Sequence, residues 1–182
     1  MKRTLLALAA LASLLTACGQ NTKNEAKVLV AYFSATGTTR TVAENVAKAS
    51  GATLYEIAPV EKYTAEDLDW TKQDSRSSVE MKDPESRPAI ENTLQEADSY
   101  DVIFIGFPVW WYTAPTIINT FLDTYDFTGK KVVFFATSGG SDLKKADAQF
   151  AQQYPGLKWQ EGKLLNGASE EEIKAWTDKV IK

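Results

Sequence analysis

The segment 34–39, Ser-Ala-Thr-Gly-Thr-Thr, gathers several hydroxyl side chains and one glycine directly ahead of a predicted helix. Backbone N–H groups at the start of a helix attract anions, and hydroxyls add further donors, so the segment predicts a site for a phosphate monoester. It lacks the lysine-bearing loop of nucleoside triphosphate sites and the glycine pattern of dinucleotide sites. A turn that merely caps the helix is the alternative interpretation.

A second segment, 106–115, carries three consecutive large aromatic residues, Trp110, Trp111 and Tyr112. If the backbone is extended here, neighbouring side chains point in opposite directions. At least one ring then lies near solvent or a ligand, where it can stack on a planar ring system. Core packing with one tolerated exposed ring is the alternative.

A third segment, 137–142, places Gly139 and Gly140 after a predicted strand. Glycines permit a positive φ and allow the backbone to approach a flat ligand closely. A tight turn without a ligand explains this segment equally well.

The residue types that the chain lacks exclude several kinds of catalytic and metal site. The chain has no histidine, and its one cysteine is Cys18. Internal disulfides, a Ser-His-Asp triad, a thiol nucleophile, a redox dithiol and a thiolate or imidazole zinc site are therefore excluded. Redox chemistry would have to come from a cofactor, and the excess of 24 acidic over 20 basic residues argues against nucleic acid as a partner.

The segments that position these loops alternate between strand and helix. Three apolar runs are continuous, which is typical of parallel strands covered on both faces, and two weaker strands accompany them. The alternation predicts an α/β doubly wound five-stranded parallel sheet with helices on both faces and ligand loops at the carboxyl ends of its strands. The predicted strands are 28–33, 53–57, 102–106, 132–136 and 157–165, and the predicted helices are 39–49, 90–97, 115–123, 143–152 and 170–181.

The stretch 60–89 departs from this alternation, being charged and poor in aliphatic side chains. It is too long for an ordinary connection. We expect a partly structured crossover at the rim of the sheet, with a short helix near 65–70.

The amino terminus has the pattern of an export signal: Lys2 and Arg3, then an apolar run that ends at Thr16-Ala17-Cys18. Leu15–Cys18 resembles the lipobox of bacterial lipoproteins, which implies lipid on Cys18 and an extracytoplasmic, lipid-anchored protein. An ordinary secretory signal with a chance cysteine is the alternative. The predicted organisation is a signal peptide over 1–17, a lipidated tether over 18–26 and one domain over 27–182.

In their order and spacing, these motifs resemble the flavodoxin family, in particular a bacterial flavodoxin-like group with Gly-x-Pro-x-Trp-Trp and Thr-Ser-Gly-Gly-Ser loops. Both motifs are intact here, and 87–88, 125–130 and 164–167 also fit. The resemblance implies FMN at the switch point of the sheet, where the loops after strands one, three and four meet.

The resemblance also implies the binding residues. Phosphate ligands would be Ser34, Thr36, Gly37, Thr38 and Thr39; residues flanking the isoalloxazine ring would be Pro108, Val109, Trp110, Trp111 and Tyr112; and residues along its pyrimidine edge would be Thr137, Ser138, Gly139 and Gly140. No catalytic residue and no metal site is predicted.

Three functions agree with these residues. The first is extracytoplasmic electron transfer through FMN, in which a membrane-bound donor supplies electrons to a redox partner protein or a quinone. The second is an FMN-dependent quinone or nitro-compound reductase. The third is a non-catalytic ligand-binding lipoprotein of the same fold.

Overall fold

The five strands form one parallel sheet in the order β2-β1-β3-β4-β5 in a computed structural model that describes residues 26–182. The predicted flavodoxin-like α/β fold is confirmed. The predicted signal peptide, Cys18 and all but the last residue of the tether lie outside the described residues. The strands are β1 Val28–Tyr32, β2 Thr53–Glu56, β3 Val102–Pro108, β4 Lys131–Thr137 and β5 Lys158–Leu164.

Helices cover both faces of the sheet, which explains why the central strands are continuously apolar. Phe104 packs on one face and Phe134 on the other, and neither has any exposed surface. Burying each ring stabilises the fold by about 1.5–3 kcal/mol. The helices are α1 Thr38–Ser50 and α5 Glu170–Ile181 on the Phe104 face, and α3 Ile117–Thr124 and α4 Lys144–Gln153 on the Phe134 face.

Local signals place α5 where the sequence predicts it. The Ser169 hydroxyl accepts a hydrogen bond from the backbone N–H of Glu172, and the Glu172 carboxylate accepts one from the backbone N–H of Ser169. This capping box satisfies N–H groups that the first turn leaves unpaired.

In residues 26–182, no helix combines the length and apolar character needed to cross a membrane.

Two helix predictions in the crossover from β2 to β3 are wrong. Residues 65–70 form turns, and 90–97 consists of an isolated bridge at Ile90 followed by bends and turns, which lead into a short 3-10 helix at Ala97–Ser99. The helix of this crossover is α2, Arg76–Lys82, whose first turn is capped by Ser75.

Tertiary hydrogen bonds explain the missing helix at 90–97. The backbone N–H of Glu91 donates to the Ala58 carbonyl at 2.8 Å, and that of Leu94 donates to the Tyr125 hydroxyl at 2.7 Å. In a helix that began at 90, the Leu94 N–H would instead pair with the Ile90 carbonyl, whereas the Glu91 N–H would have no partner within the helix. Asn92 and Thr93 are weak helix formers, so partners elsewhere in the fold outweigh local propensity here.

Candidate functional site

Three of the loops meet at the carboxyl edge of the sheet because β1, β3 and β4 are neighbours. The first loop follows β1, the aromatic loop follows β3 and the third loop follows β4. The backbone N–H of Val109 donates to the Thr137 carbonyl at 2.9 Å, which ties the start of the aromatic loop to the start of the third. The structure thus brings the three predicted ligand segments together.

The first loop presents an open helix start. Gly37 precedes α1 with φ 92°, and no side chain among the described residues caps that helix. The Ser34 hydroxyl accepts from the Gly37 N–H at 3.1 Å, while Thr36 and Thr38 are exposed with their hydroxyl oxygens 3.5 Å apart. The N–H groups of the first turn and two exposed hydroxyls suit the phosphate of FMN.

Thr39 has a different environment from the other threonines of this loop. It is buried, and its hydroxyl lies 2.8 Å from the hydroxyl of Thr137, which is also buried. This hydrogen bond joins the start of α1 to the end of β4. The Thr39 side chain therefore braces two loops against each other in this structure.

The aromatic loop is a tight two-residue turn, so the condition of an extended backbone is not met here. Trp110 and Thr113 exchange backbone hydrogen bonds of 3.0 and 2.9 Å around Trp111 at φ 47° and Tyr112 at φ 66°. Positive φ at both central positions is typical of a type I′ turn, where Asn-Gly is preferred. In left-handed backbone conformation, each residue with a Cβ destabilises the fold by about 1–2 kcal/mol.

The turn divides the aromatic rings between core and solvent. Trp110 packs inward, its ring centroid 5.6 Å from that of Phe33 and 5.5 Å from that of Tyr63. Trp111 and Tyr112 are 42% and 61% exposed. The exposed pair is therefore the part of this loop that is available to a planar ligand.

The third loop is held by Ser138, whose hydroxyl accepts from the N–H groups of Gly140 and Ser141 at 3.1 and 2.7 Å. Gly139 and Gly140 do not adopt positive φ, so the conformational reason predicted for them is wrong. A Cβ on either glycine would meet nothing within 4 Å. Their open surroundings leave room for the close approach of a flat ligand.

Asn166, in the loop after β5, holds the third loop in place, a role that we did not predict from the sequence. Its side-chain amide accepts from the Ser138 N–H at 2.8 Å and donates to the Ser138 carbonyl at 2.9 Å. The family-like motif at 164–167 was the available signal. Its contribution depends on β5 lying beside β4, which a local motif does not reveal.

Comparison with known proteins settles the family. A family model described as flavodoxin matches residues 27–180. The chain belongs to the flavodoxin family. No curated protein matches it.

Solved structures agree with this membership. A protein assigned as a flavoprotein from Bacteroides eggerthii is 52% identical, with a TM-score of 0.83 over 86% of this chain and 99% of that one. A second, from Bacteroides uniformis, is 55% identical, with a TM-score of 0.81 over 84% and 98%. A Lactobacillus acidophilus flavoprotein in complex with FMN is 26% identical, with a TM-score of 0.66 over 81% and 98%. Family and complex together support FMN as the predicted cofactor.

In this flavodoxin family member, the crossover from β2 to β3 supports the aromatic loop. The Tyr63 ring packs against Trp110, its hydroxyl donates to the Glu80 carboxylate, and the Arg76 guanidinium lies 4.0 Å from its centroid. Burial, followed by the hydrogen bond to Glu80, raises the pKa of the Tyr63 hydroxyl well above its usual value. Tyr63 therefore remains a neutral donor at physiological pH.

Two cavities adjoin these loops. One of about 430 Å³ touches the first loop and contains ionic side chains, among them Arg40, Glu56, Lys62 and Glu91. The other, of about 400 Å³, lies between the crossover and the aromatic loop. A larger open groove between α1 and α5 includes none of the predicted ligand residues, so we do not assign it to the cofactor. Within residues 26–182, no cluster of three or more metal-ligating side chains is present.

Proposed function

We propose that this flavodoxin family member binds FMN and transfers electrons outside the cytoplasm, from a membrane-bound donor to a redox partner. The observation that carries the proposal is the convergence of an uncapped helix start, an exposed aromatic pair and an open glycine turn at one edge of the sheet. The phosphate, the planar ring and the ring edge of FMN would each contact one of these three surfaces. The FMN complex of the Lactobacillus relative supports the same cofactor.

Different residues would bind different parts of FMN. Thr36, Thr38 and the first-turn N–H groups of α1 would hold the phosphate, and Trp111 and Tyr112 would contact the isoalloxazine ring. Bound FMN supplies one- and two-electron redox chemistry that the side chains of this protein lack. In the third loop, the backbone N–H of Gly139 donates to no group within residues 26–182 and would stabilise negative charge on the ring edge.

The extracytoplasmic location rests on the export signal and on Cys18. The tether joins the domain at Lys27, next to the amino end of β1, whereas the candidate site lies at the carboxyl end of that strand. A tether over 18–26 reaches at most about 30 Å when fully extended. This arrangement favours a site that faces the aqueous side, where a soluble partner can approach.

Electron transfer is tested by reducing the purified protein and measuring reoxidation by exported redox proteins and by membrane fractions. Removal of Lys2 and Arg3 with the signal leaves 18 basic and 24 acidic residues, a net charge of −6. Docking should therefore use a basic partner surface, and transfer should slow as ionic strength rises. Failure to discharge to any of these acceptors would remove support for the proposal.

Lipid anchoring has its own test. Cys18→Ser should abolish incorporation of labelled fatty acid and release the protein from the membrane, because two or three acyl chains provide the anchoring. Membrane attachment and labelling that persist in this variant would contradict it.

A second candidate function, FMN-dependent reduction of quinones or nitro compounds, is favoured by the cavity beside the exposed aromatic pair. Saturable turnover with a reduced nicotinamide and a quinone would support it. Absence of nicotinamide oxidation across a panel of quinones would count against it.

A further inference from the structure

The cavity between the crossover and the aromatic loop belongs to the predicted site of the isoalloxazine ring. It is lined by four of the five residues assigned to that ring, 109–112, and by Ser141 of the third loop. The rest of its wall comes from the crossover, for which no binding role is predicted: Leu68, Trp70 and Ser77. A ring bound against the aromatic loop would therefore also meet the crossover.

Ser77 carries a buried hydroxyl without a partner. The residue is only 2% exposed, and within residues 26–182 its hydroxyl makes no hydrogen bond although it borders this cavity. A serine inside a helix can bond the carbonyl four residues back, but here that residue, Gln73, precedes α2, and its carbonyl accepts from the Lys82 ammonium at 2.8 Å. Because an unpaired buried hydroxyl is unfavourable, this one is available to a ligand that enters the cavity.

Hydrogen bonds within the crossover fix the position of Ser77. Its backbone N–H donates to the Asp67 carbonyl at 3.0 Å, which joins α2 to an earlier turn of the crossover. The guanidinium of Arg76 donates to the Glu80 carboxylate and to the Glu61 carbonyl, each at 2.7 Å. A side chain on a segment held in this way loses little conformational freedom when it contacts a ligand.

Trp70 gives the crossover an aromatic surface beside the same cavity. It is 71% exposed, and large exposed apolar surface next to a cavity is typical of a ligand site. Among the described residues, those that line the cavity carry no charge, which suits the uncharged ring system of oxidised flavin. The crossover thus offers the ring one aromatic surface and one hydroxyl.

We propose that the crossover is part of the flavin site: the Ser77 hydroxyl forms a hydrogen bond with a nitrogen or carbonyl oxygen of the isoalloxazine ring, and Trp70 packs against the ring. The inference rests on the proposed function, which supplies FMN as the ligand. It adds two ring-binding residues outside the three loops and gives the stretch 60–89 a function. Because both contacts are made with the ring, they do not depend on the phosphate.

Titration of the FMN-free protein with FMN and with riboflavin, which lacks the phosphate, tests the Ser77 contact. Ser77→Ala should weaken the binding of both flavins about tenfold, the equivalent of 1.4 kcal/mol, because it removes the same ring contact from each. Thr120→Val is the matched control, since it removes another buried, unpartnered hydroxyl that lies outside the cavity. It should leave both affinities unchanged.

Unfolding of the FMN-free protein separates a binding role of Ser77 from a structural one. Its hydroxyl has no partner among residues 26–182, so Ser77→Ala should not lower the midpoint of denaturant unfolding. A lower midpoint would show that the hydroxyl is bonded within the fold, which would contradict the proposal.

The Trp70 contact is tested in the same flavin titrations. Trp70→Ala should weaken both flavins about fivefold, because one aromatic contact with the ring is lost. Val79→Ala is its control, since Val79 is another exposed apolar residue of the crossover but does not line the cavity. It should leave both affinities unchanged.

Three results would overturn the proposal. Flavin affinities that stay at the wild-type value in Ser77→Ala would exclude the hydrogen bond, and those in Trp70→Ala the aromatic contact, while the proposed function would stand. Losses confined to FMN, with riboflavin unaffected, would place the crossover at the phosphate. Failure of the wild type to bind either flavin would defeat the proposed function and this inference together.

Discussion

The first loop and the aromatic loop lie at the same edge of the sheet, and both require left-handed backbone. In the first loop the residue is Gly37, which adopts φ 92° without steric penalty. In the aromatic loop the residues are Trp111 and Tyr112, which adopt φ 47° and 66° although each carries a Cβ. The difference indicates that the first loop uses a glycine where its backbone must be left-handed, whereas the aromatic loop retains two aromatic side chains despite the strain.

Replacing the strained pair tests this comparison with the largest expected effect. In Trp111→Asn/Tyr112→Gly, the turn acquires the residues it prefers, so the free energy of unfolding without FMN should rise by about 2 kcal/mol. FMN affinity should fall by up to about 100-fold, since two aromatic contacts are lost. Denaturant unfolding and FMN titration measure the two effects.

Glu96→Gly is the control for this pair. Glu96 also has a positive φ, 51°, but precedes the 3-10 turn near the opposite edge of the sheet. We expect it to raise stability without changing FMN affinity. A double variant that is less stable than wild type, or that retains full FMN affinity, would show that the aromatic residues serve the fold rather than the ligand.

Gly37→Ala tests the other side of the comparison. A Cβ would meet nothing within 4 Å, so the effect should come from the backbone strain alone, about 1–2 kcal/mol in the free energy of unfolding. FMN affinity should fall about tenfold as the helix start shifts. Gly51→Ala, at the other end of α1 with φ 64° and similarly open surroundings, should destabilise equally but leave FMN affinity intact.

The hydrogen bond between Thr39 and Thr137 allows a test of whether the first and third loops are energetically coupled. A double-mutant cycle with Thr39→Val and Thr137→Val should give a coupling energy of about 1 kcal/mol in unfolding. Additive effects of the two substitutions would show that the 2.8 Å contact does not connect the loops energetically.

The smallest effect is expected at Asn166. Asn166→Ala leaves the N–H and carbonyl of Ser138 to water, which should lower FMN affinity by about threefold and stability by about 0.5 kcal/mol. Asn45→Ala, on α1 and away from the three loops, should not change FMN affinity. A matching loss in both variants would contradict a specific role for Asn166.

Sequence patterns predict the parts of this fold that local chemistry determines. The strands β1, β3 and β4 are continuous apolar runs, and α5 follows an N-cap serine and begins with three acidic residues. The crossover could not be predicted in detail because the hydrogen bonds of Glu91 and Leu94 go to distant residues. The positions of Trp111 and Tyr112 were predicted from their motif, but not their left-handed turn, since both residue types are disfavoured there.

The central claim is that the three loops form an FMN site. Titration of the purified, FMN-free protein with FMN, followed by flavin fluorescence and the visible spectrum, tests it most directly. We predict stoichiometric quenching that saturates at one FMN per chain. Flavin fluorescence and a visible spectrum that stay unchanged on adding protein would contradict the claim and leave a protein of flavodoxin fold with another ligand.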